Sequence, residues 1–192
     1  MGKPILYVFA GGNGAGKSTF SYDLIPEGTI VINPDLIAKN SINSYVANEV
    51  IGKMKTEAIQ NRTSILIETN FLFEDEIDTF LKFKQAGFEI HLYYFVLSSL
   101  KESELRVFSR QTKGGHFVDN YTRELNFTVG LDNAVNNSNH FDEVRLIANS
   151  IYLQKEILHA IGRDLVYEDY KQQKWTNSVA ERFITELKEN LN

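Results

Sequence analysis

Apolar and polar positions follow each other along the chain in blocks that predict alternating strands and helices. Five short apolar runs are typical of strands that are buried on both faces of a parallel sheet. These runs cover residues 4–10, 29–32, 64–67, 89–97 and 142–148.

The segments between these runs place apolar residues at helical spacing. The clearest of them are 17–24, 44–62, 98–113, about 119–136 and the stretch after Trp175. Asn33 and Pro34 have the residue types of a helix cap and a first helical position. Strands that alternate with helices predict right-handed crossovers, so we expect a three-layer α/β fold with a mostly parallel central sheet. Segment 151–170 mixes both patterns and predicts neither element.

Composition and charge mainly exclude classes of function. The 192 residues, 43% of them hydrophobic, are enough for one domain with a sizeable core. A formal net charge of −5 argues against a nucleic-acid partner. The chain has no cysteine, which excludes disulfides and thiolate zinc sites. Because the run at 5–10 is too short for a signal peptide and no stretch reaches the ~18 apolar residues of a membrane span, we expect a cytoplasmic protein without a membrane partner.

A glycine-rich loop stands between the first predicted strand and a helix. Residues 11–18 read GGNGAGKS, which is the pattern of glycine, four residues, glycine, lysine and serine. Such a loop wraps backbone amides and a helix N-terminus around the phosphates of a nucleotide. Lys17 is expected to reach the β- and γ-phosphates, and the Ser18 hydroxyl to bind Mg²⁺. The predicted nucleotide-binding residues are Gly11, Gly12, Asn13, Gly14, Ala15, Gly16, Lys17, Ser18 and Thr19.

Two acidic residues follow predicted strands, at the edge of the sheet where ligands of such folds gather. Asp35 could accept the proton of a substrate hydroxyl that attacks the γ-phosphate, or it could simply stabilise a helix N-terminus. Glu68 could help to hold Mg²⁺ or could face the acceptor substrate together with Thr69. The alternative for Glu68 is a solvated carboxylate in a turn.

A charged segment after the fourth strand carries further candidates. Arg106 and Arg110 share one helix face and could clamp a transferring phosphoryl group, although Glu102 could instead form an ordinary surface ion pair with Arg106. The following Gly-Gly pair suits the hinge of a helical lid over about 98–140. His116 and Arg123 are candidate substrate-binding residues beside it. Residues 151–192 would form a C-terminal extension.

Together these motifs resemble the zeta toxin family and its compact bacterial relatives, which are often described as predicted ABC-type ATPases or kinases. The resemblance rests on four segments in the family order, and Asn149-Ser150 resembles a late Asn-Ser pair of the family. The segments are AGGNGAGKST at 10–19, NPDLIA at 33–38, ETN at 68–70 and RVFSRQTKGGHFV at 106–118.

The resemblance implies a P-loop kinase fold, with ATP and Mg²⁺ as cofactors and phosphoryl transfer to a small molecule. In zeta toxins the acceptor is a UDP-N-acetylamino sugar, so UDP-N-acetylglucosamine and an antitoxin protein are the partners it implies. It assigns Asp35 as the catalytic aspartate, Glu68 as a substrate-side carboxylate and Arg106 or Arg110 as the phosphate clamp. His116 matches a position where larger zeta toxins carry a second arginine.

The chain departs from the family pattern at several positions. Relatives commonly have proline where this chain has Gly12 and Asp119, and Ala148 replaces a common aspartate. These changes and the shorter chain leave the acceptor open. A nucleotide-dependent ATPase or regulatory binding module without kinase activity is the rival hypothesis.

Overall fold

A seven-stranded sheet forms the centre of the fold in the computed structural model, which describes residues 2–73, 75–112 and 118–189. The strand order is β2-β3-β1-β4-β5-β6-β7, with β1 to β5 mutually parallel and the last two strands antiparallel. The strands are β1 Ile5–Ala10, β2 Ile30–Ile32, β3 Ile65–Thr69, β4 Glu89–Val96, β5 Glu143–Ser150, β6 Leu153–Ile161 and β7 Asp164–Glu168. The predicted mostly parallel α/β fold is confirmed.

Within the described residues seven α-helices connect and flank these strands. They are α1 Lys17–Leu24, α2 Pro34–Asn40, α3 Ser44–Asn61, α4 Glu76–Gln85, α5 Leu100–Gln111, α6 Asn120–Asn136 and α7 Lys174–Glu189. The start of α5 lies two residues after the predicted one because Ser99 is the cap, and its side chain accepts a hydrogen bond from the Glu102 amide. None of the helices in the described part is long and apolar enough to cross a bilayer.

The two faces of the sheet are covered unequally. Helices α3, α4, α6 and α7 pack their apolar residues against one face and form the larger core. The opposite face carries a smaller cluster that includes Phe9 and Phe95, and Phe20 of α1 stacks on Phe95 with 5.8 Å between ring centroids. The carboxyl ends of the parallel strands lie at one edge of this sandwich, where α1, α2 and α5 begin.

The segment that the sequence pattern could not assign forms the β6–β7 hairpin. Strand β6 pairs along the whole of β5, and the ladders shift register between Leu146 and Ile147 and between His159 and Ala160. A bulge breaks the strict alternation of inward and outward residues, which explains the mixed pattern. Because β6, β7 and α7 complete the same sheet and core, residues 151–189 are continuous with the rest of the domain. The lid role of 98–140 stays a prediction.

Candidate active site

The glycine loop is held open by side chains from three distant elements. Asn149 of β5 donates to the Ala15 carbonyl (2.7 Å), and Ser103 of α5 donates to the Asn13 carbonyl (2.6 Å). Asn126 of α6 donates to the Asn13 side-chain oxygen (2.7 Å). These bonds hold the loop in place from outside, and within it the Ala15 amide donates to the Gly12 carbonyl (3.1 Å). In a phosphate loop the remaining backbone amides bind the anion.

Gly16 shows why the loop needs glycine. Its φ is +93°, and a Cβ at this position would lie 2.2 Å from the Asn149 side-chain nitrogen. A side chain here would therefore be strained by the backbone conformation and would also displace Asn149 from its hydrogen bond.

The ammonium of Lys17 folds back onto the loop that it belongs to. It donates to the carbonyls of Gly11 (2.6 Å) and Gly12 (3.3 Å) and to the Asn70 side-chain oxygen (2.8 Å). Burial lowers the pKa of Lys17 to about 8, although the carboxylates of Glu68 and Asp35 favour the charged form. The surrounding carboxylates compensate the charge of the ammonium only in part, and a bound triphosphate would supply the remaining negative charge.

Ser18 and Glu68 form a magnesium-type oxygen pair at the end of β3. The Ser18 hydroxyl donates to Glu68 Oε2 (2.6 Å), and the Asn33 amide donates to the same oxygen (3.1 Å). Hard oxygen donors at this place fit Mg²⁺, which a phosphate-loop hydroxyl and a strand-end carboxylate commonly hold together with the phosphates. No group of three or more acidic or histidine side chains in the described residues forms a metal site by itself. The contact with Ser18 favours the magnesium role among the two that the sequence left open for Glu68.

Two cavities meet at these residues. We call the one lined by residues 13–20 the loop cavity, with a volume of about 550 Å³, and the one beside α3 the side cavity, with about 400 Å³. The side chains that line both are Lys17, Asp35, Glu68 and Asn70. A group bound in one cavity is therefore adjacent to a group bound in the other, with Asp35 at the junction.

Both predicted clamp arginines line the loop cavity. Arg106 donates to the Gly14 carbonyl (3.3 Å) and pairs with Glu102 (2.8 Å), while Arg110 is exposed. The ion pair between Arg106 and Glu102 that the alternative reading predicted is present, but Glu102 is buried. Burial favours its neutral form, yet hydrogen bonds from Ser98 and the Ile151 amide outweigh burial and lower its pKa. The pair therefore orients Arg106 against the glycine loop and is not an ordinary exposed pair.

Comparison with known proteins agrees with this geometry. The family model described as Zeta toxin matches residues 1–157. The chain belongs to the zeta toxin family. No curated protein sequence is significantly similar to it.

Solved structures share the fold of this zeta toxin family member at low sequence identity. The PezAT chromosomal toxin–antitoxin system of Streptococcus pneumoniae matches with 18% identity and a TM-score of 0.66, covering 97% of this chain and 79% of that one. AvrRxo1-ORF1:ORF2 with ATP matches with 17% identity and a TM-score of 0.68 over 95% of this chain. The present chain spans 64% of the length of that AvrRxo1 chain. A provisionally named kinase from Chloroflexus aurantiacus matches with 17% identity and a TM-score of 0.54, over 67% of this chain and 77% of that one.

The remaining predicted substrate residues of this zeta toxin family member differ in position. Thr69 lines the side cavity, and its hydroxyl donates to Glu76. Arg123 lines neither cavity. It is 6% exposed on α6 and contacts the side chains of Asn120 (2.7 Å) and Glu104 (3.6 Å). A substrate contact of Arg123 thus has no support from its surroundings and stays a prediction.

Other predicted features of the lid segment divide between described and undescribed parts of the chain. His116 and the Gly-Gly hinge lie outside the described residues. Asp119, which replaces a common proline of the family, caps α6 by accepting hydrogen bonds from the Thr122 amide (2.9 Å) and hydroxyl (2.6 Å). Gly12 lies under α6, and a Cβ there would be 3.5 Å from Phe127.

Several polar residues of the site were not predicted. Asn33 and Asn70 belong to the motifs NPDLIA and ETN, so their closeness in sequence to Asp35 and Glu68 could have identified them as site residues. Ser103 and Asn126 carry no local signal, because they reach the loop only across 90 and 113 residues of sequence. Their role follows from the packing of α5 and α6.

Proposed function

We propose that this protein is a Mg²⁺-dependent kinase that transfers the γ-phosphate of ATP to a hydroxyl of a small molecule. The observation that carries the proposal is the junction of the loop cavity and the side cavity at Lys17, Asp35, Glu68 and Asn70. A P-loop ATPase needs only the first cavity. A kinase needs a second cavity that opens on the γ-phosphate position, with a proton acceptor between the two.

The reaction assigns one step to each group. The acceptor hydroxyl in the side cavity gives its proton to the Asp35 carboxylate while its oxygen forms a bond to the γ-phosphorus. The bond from that phosphorus to the β–γ bridging oxygen breaks, and ADP leaves the loop cavity. Lys17 and the guanidinium groups of Arg106 and Arg110 stabilise the charge that develops on the transferred group.

Ser18 and Glu68 would hold the metal ion beside the phosphates. Mg²⁺ neutralises phosphate charge when bound there. Asn33 keeps both oxygen ligands in place, since its amide donates to Glu68 (3.1 Å) and to Ser18 (3.2 Å) while its oxygen caps α2 through the Leu36 amide (3.0 Å). The same residue thereby fixes the helix start that presents Asp35.

UDP-N-acetylglucosamine and related UDP-N-acetylamino sugars are the first acceptors to test, because the chain belongs to the zeta toxin family. The side cavity, at about 400 Å³, lies within the usual range for small-molecule sites. Thr69 and Glu68 contribute polar groups to its wall. The cellular location that we propose is the cytoplasm, where ATP and nucleotide sugars occur together.

The test compares Asp35→Asn with Asp78→Asn. Both aspartates lie exposed in the first turn of a helix, α2 and α4 respectively, but only Asp35 lines the cavities. Protein, ATP and Mg²⁺ are incubated with a panel of nucleotide sugars, and a mass gain of about 80 Da is sought in each acceptor. We expect Asp35→Asn to lose about 10²–10⁴ in the transfer rate while it retains ATP binding, and Asp78→Asn to remain active.

Other outcomes separate the rival functions. ADP formation without a phosphorylated acceptor, equally fast in Asp35→Asn, would instead identify a nucleotide-dependent ATPase. ATP binding without turnover, together with an ATP-dependent protein contact, would identify a regulatory module. Equal loss of transfer in both variants would mean that Asp35 acts on the helix and not on the acceptor.

We further propose an antitoxin-type protein partner. The support is family membership and the fold shared with a toxin–antitoxin system and with the AvrRxo1-ORF1:ORF2 complex. If the protein slows bacterial growth when expressed alone, Lys17→Ala should relieve that effect. Unaltered growth inhibition by Lys17→Ala would contradict a nucleotide-dependent toxicity.

A further inference from the structure

The wall of the side cavity formed by α3 contains a cation that the phosphotransfer reaction does not use. Lys55 lies in the middle of α3, is half-buried and lines the side cavity but not the loop cavity. Within the described residues its ammonium has no hydrogen bond and no ion pair. Lys17, by contrast, has three acceptors.

An acidic side chain on the wall of the same cavity is already bound elsewhere. Glu76 of α4 also lines this cavity, but the Thr69 hydroxyl donates to its Oε2 and the Phe73 amide donates to its Oε1 (3.3 Å). Burial raises the pKa of Glu76 despite these bonds. The carboxylate thus fastens α4 to the end of β3 and, among the residues that the structure describes, leaves the ammonium of Lys55 without a direct counter-ion.

Burial lowers the pKa of Lys55, while Glu76 opposes that shift and Lys82 adds to it. A partly desolvated ammonium without a partner destabilises the empty protein, and an anionic ligand group would remove that destabilisation. Lys53, two residues earlier on the same helix, is exposed to solvent and lines neither cavity. The position on the cavity wall therefore distinguishes Lys55 from an ordinary surface lysine.

We propose that Lys55 binds an anionic group of the acceptor, a phosphate or a carboxylate, and that the side cavity selects acceptors that carry such a group away from the reacting hydroxyl. The inference rests on the proposed function in taking the side cavity as the acceptor site. It adds a requirement on the acceptor: an uncharged sugar of the same size lacks the group that Lys55 would recognise.

The first experiment needs no turnover. The protein is saturated with a non-hydrolysable ATP analogue and Mg²⁺, so that the loop cavity is filled, and is then acetylated briefly with an amine-reactive ester. Mass spectrometry gives the acetylation rates of Lys55 and Lys53 with no addition, with inorganic phosphate, with pyrophosphate and with uncharged N-acetylglucosamine. We expect at least one of the two anions to slow acetylation of Lys55 several-fold. The uncharged sugar should leave the acetylation rate of Lys55 unchanged, and the anions should leave that of Lys53 unchanged.

Equal rates at Lys55 in all four samples would overturn the proposal. Slowing of Lys53 to the same degree would show only general screening by salt, and would overturn it too. Because this measurement is independent of catalysis, it can fail while the kinase proposal stands, and the kinase assay can fail while Lys55 is protected.

The second experiment uses whichever acceptor the kinase assay identifies. Lys55→Met is expected to raise KM for that acceptor about tenfold or more with kcat and ATP affinity nearly unchanged, because it removes one charged contact at a distance from the reacting atoms. Lys53→Met is the matched control and should leave KM unchanged. Lys55→Gln keeps a polar group and checks against a packing artefact. An unchanged KM in both Lys55 variants, with normal thermal unfolding, would refute the assignment.

Discussion

Replacement of Lys17 by methionine should stabilise the nucleotide-free protein while it abolishes ATP binding. Methionine is close to the aliphatic part of lysine in size but carries no charge. The ammonium is held in surroundings that lower its pKa from 10.5 to about 8, with burial as the main cause. The folded state therefore holds this proton more weakly than the unfolded chain does.

The size of the effect follows from that difference in pKa. At about 1.4 kcal/mol per pH unit, charging Lys17 in the folded state costs about 3 kcal/mol at neutral pH relative to the unfolded chain. The hydrogen bonds from Lys17 to Gly11 and Asn70 are lost in the variant, which offsets roughly 1 kcal/mol. A net gain of about 2 kcal/mol corresponds to a rise in Tm of about 4–8 °C for a domain of this length.

The assay is thermal unfolding of both proteins at several pH values, with and without ATP and Mg²⁺. Between pH 8 and 10.5 the unfolded chain binds more protons at Lys17 than the folded chain, so wild-type stability gains on the variant as pH rises. By pH 9.5 the cost of charging Lys17 falls to about 1.4 kcal/mol, so the net advantage of Lys17→Met should nearly disappear. Excess ATP should stabilise only the wild type, by about 2.7 kcal/mol at one hundred times Kd.

Two results would refute this reasoning. A Lys17→Met protein less stable than wild type at pH 7 would mean that the contacts of the ammonium outweigh its burial. A stability difference that does not change between pH 7 and 9.5 would mean that the pKa of Lys17 is not lowered.

Two further substitutions test the loop and the C-terminal segment. Gly16→Ala places a Cβ 2.2 Å from the Asn149 nitrogen at a φ of +93°, so we expect nucleotide affinity to fall at least tenfold. Equilibrium titration with a fluorescent ATP analogue would measure this affinity. An unchanged affinity would mean that the loop relaxes without cost. Phe183→Ala on α7 removes a fully buried ring of the larger core and should lower the free energy of unfolding by about 3–5 kcal/mol in urea denaturation. A loss of unfolding free energy below about 1 kcal/mol would show that 151–189 is a separable extension. Lys174→Ala, at an exposed position of the same helix, serves as the neutral control.

Local patterns in the sequence were sufficient for the parallel part of the fold. Five buried strands read as continuous apolar runs, and the glycine loop and its helix follow from residues that are neighbours along the chain. These features depend on side-chain periodicity and backbone conformation, which act over a few residues. The resemblance to zeta toxins was carried by the same short motifs, and the family match confirms it.

The tertiary structure alone decided which side chains meet. Asn149 reaches Ala15 across 134 residues, and Glu68 turns toward Ser18 across 50, because β5, β1 and β3 end at the same edge of the sheet. No periodicity encodes such contacts, since they depend on strand order. The hairpin at 151–170 was equally hidden, because its bulges break the period that would have revealed it. The sequence by itself thus determined the phosphate loop, and the packing of distant elements around that loop determined the two cavities that meet at Asp35.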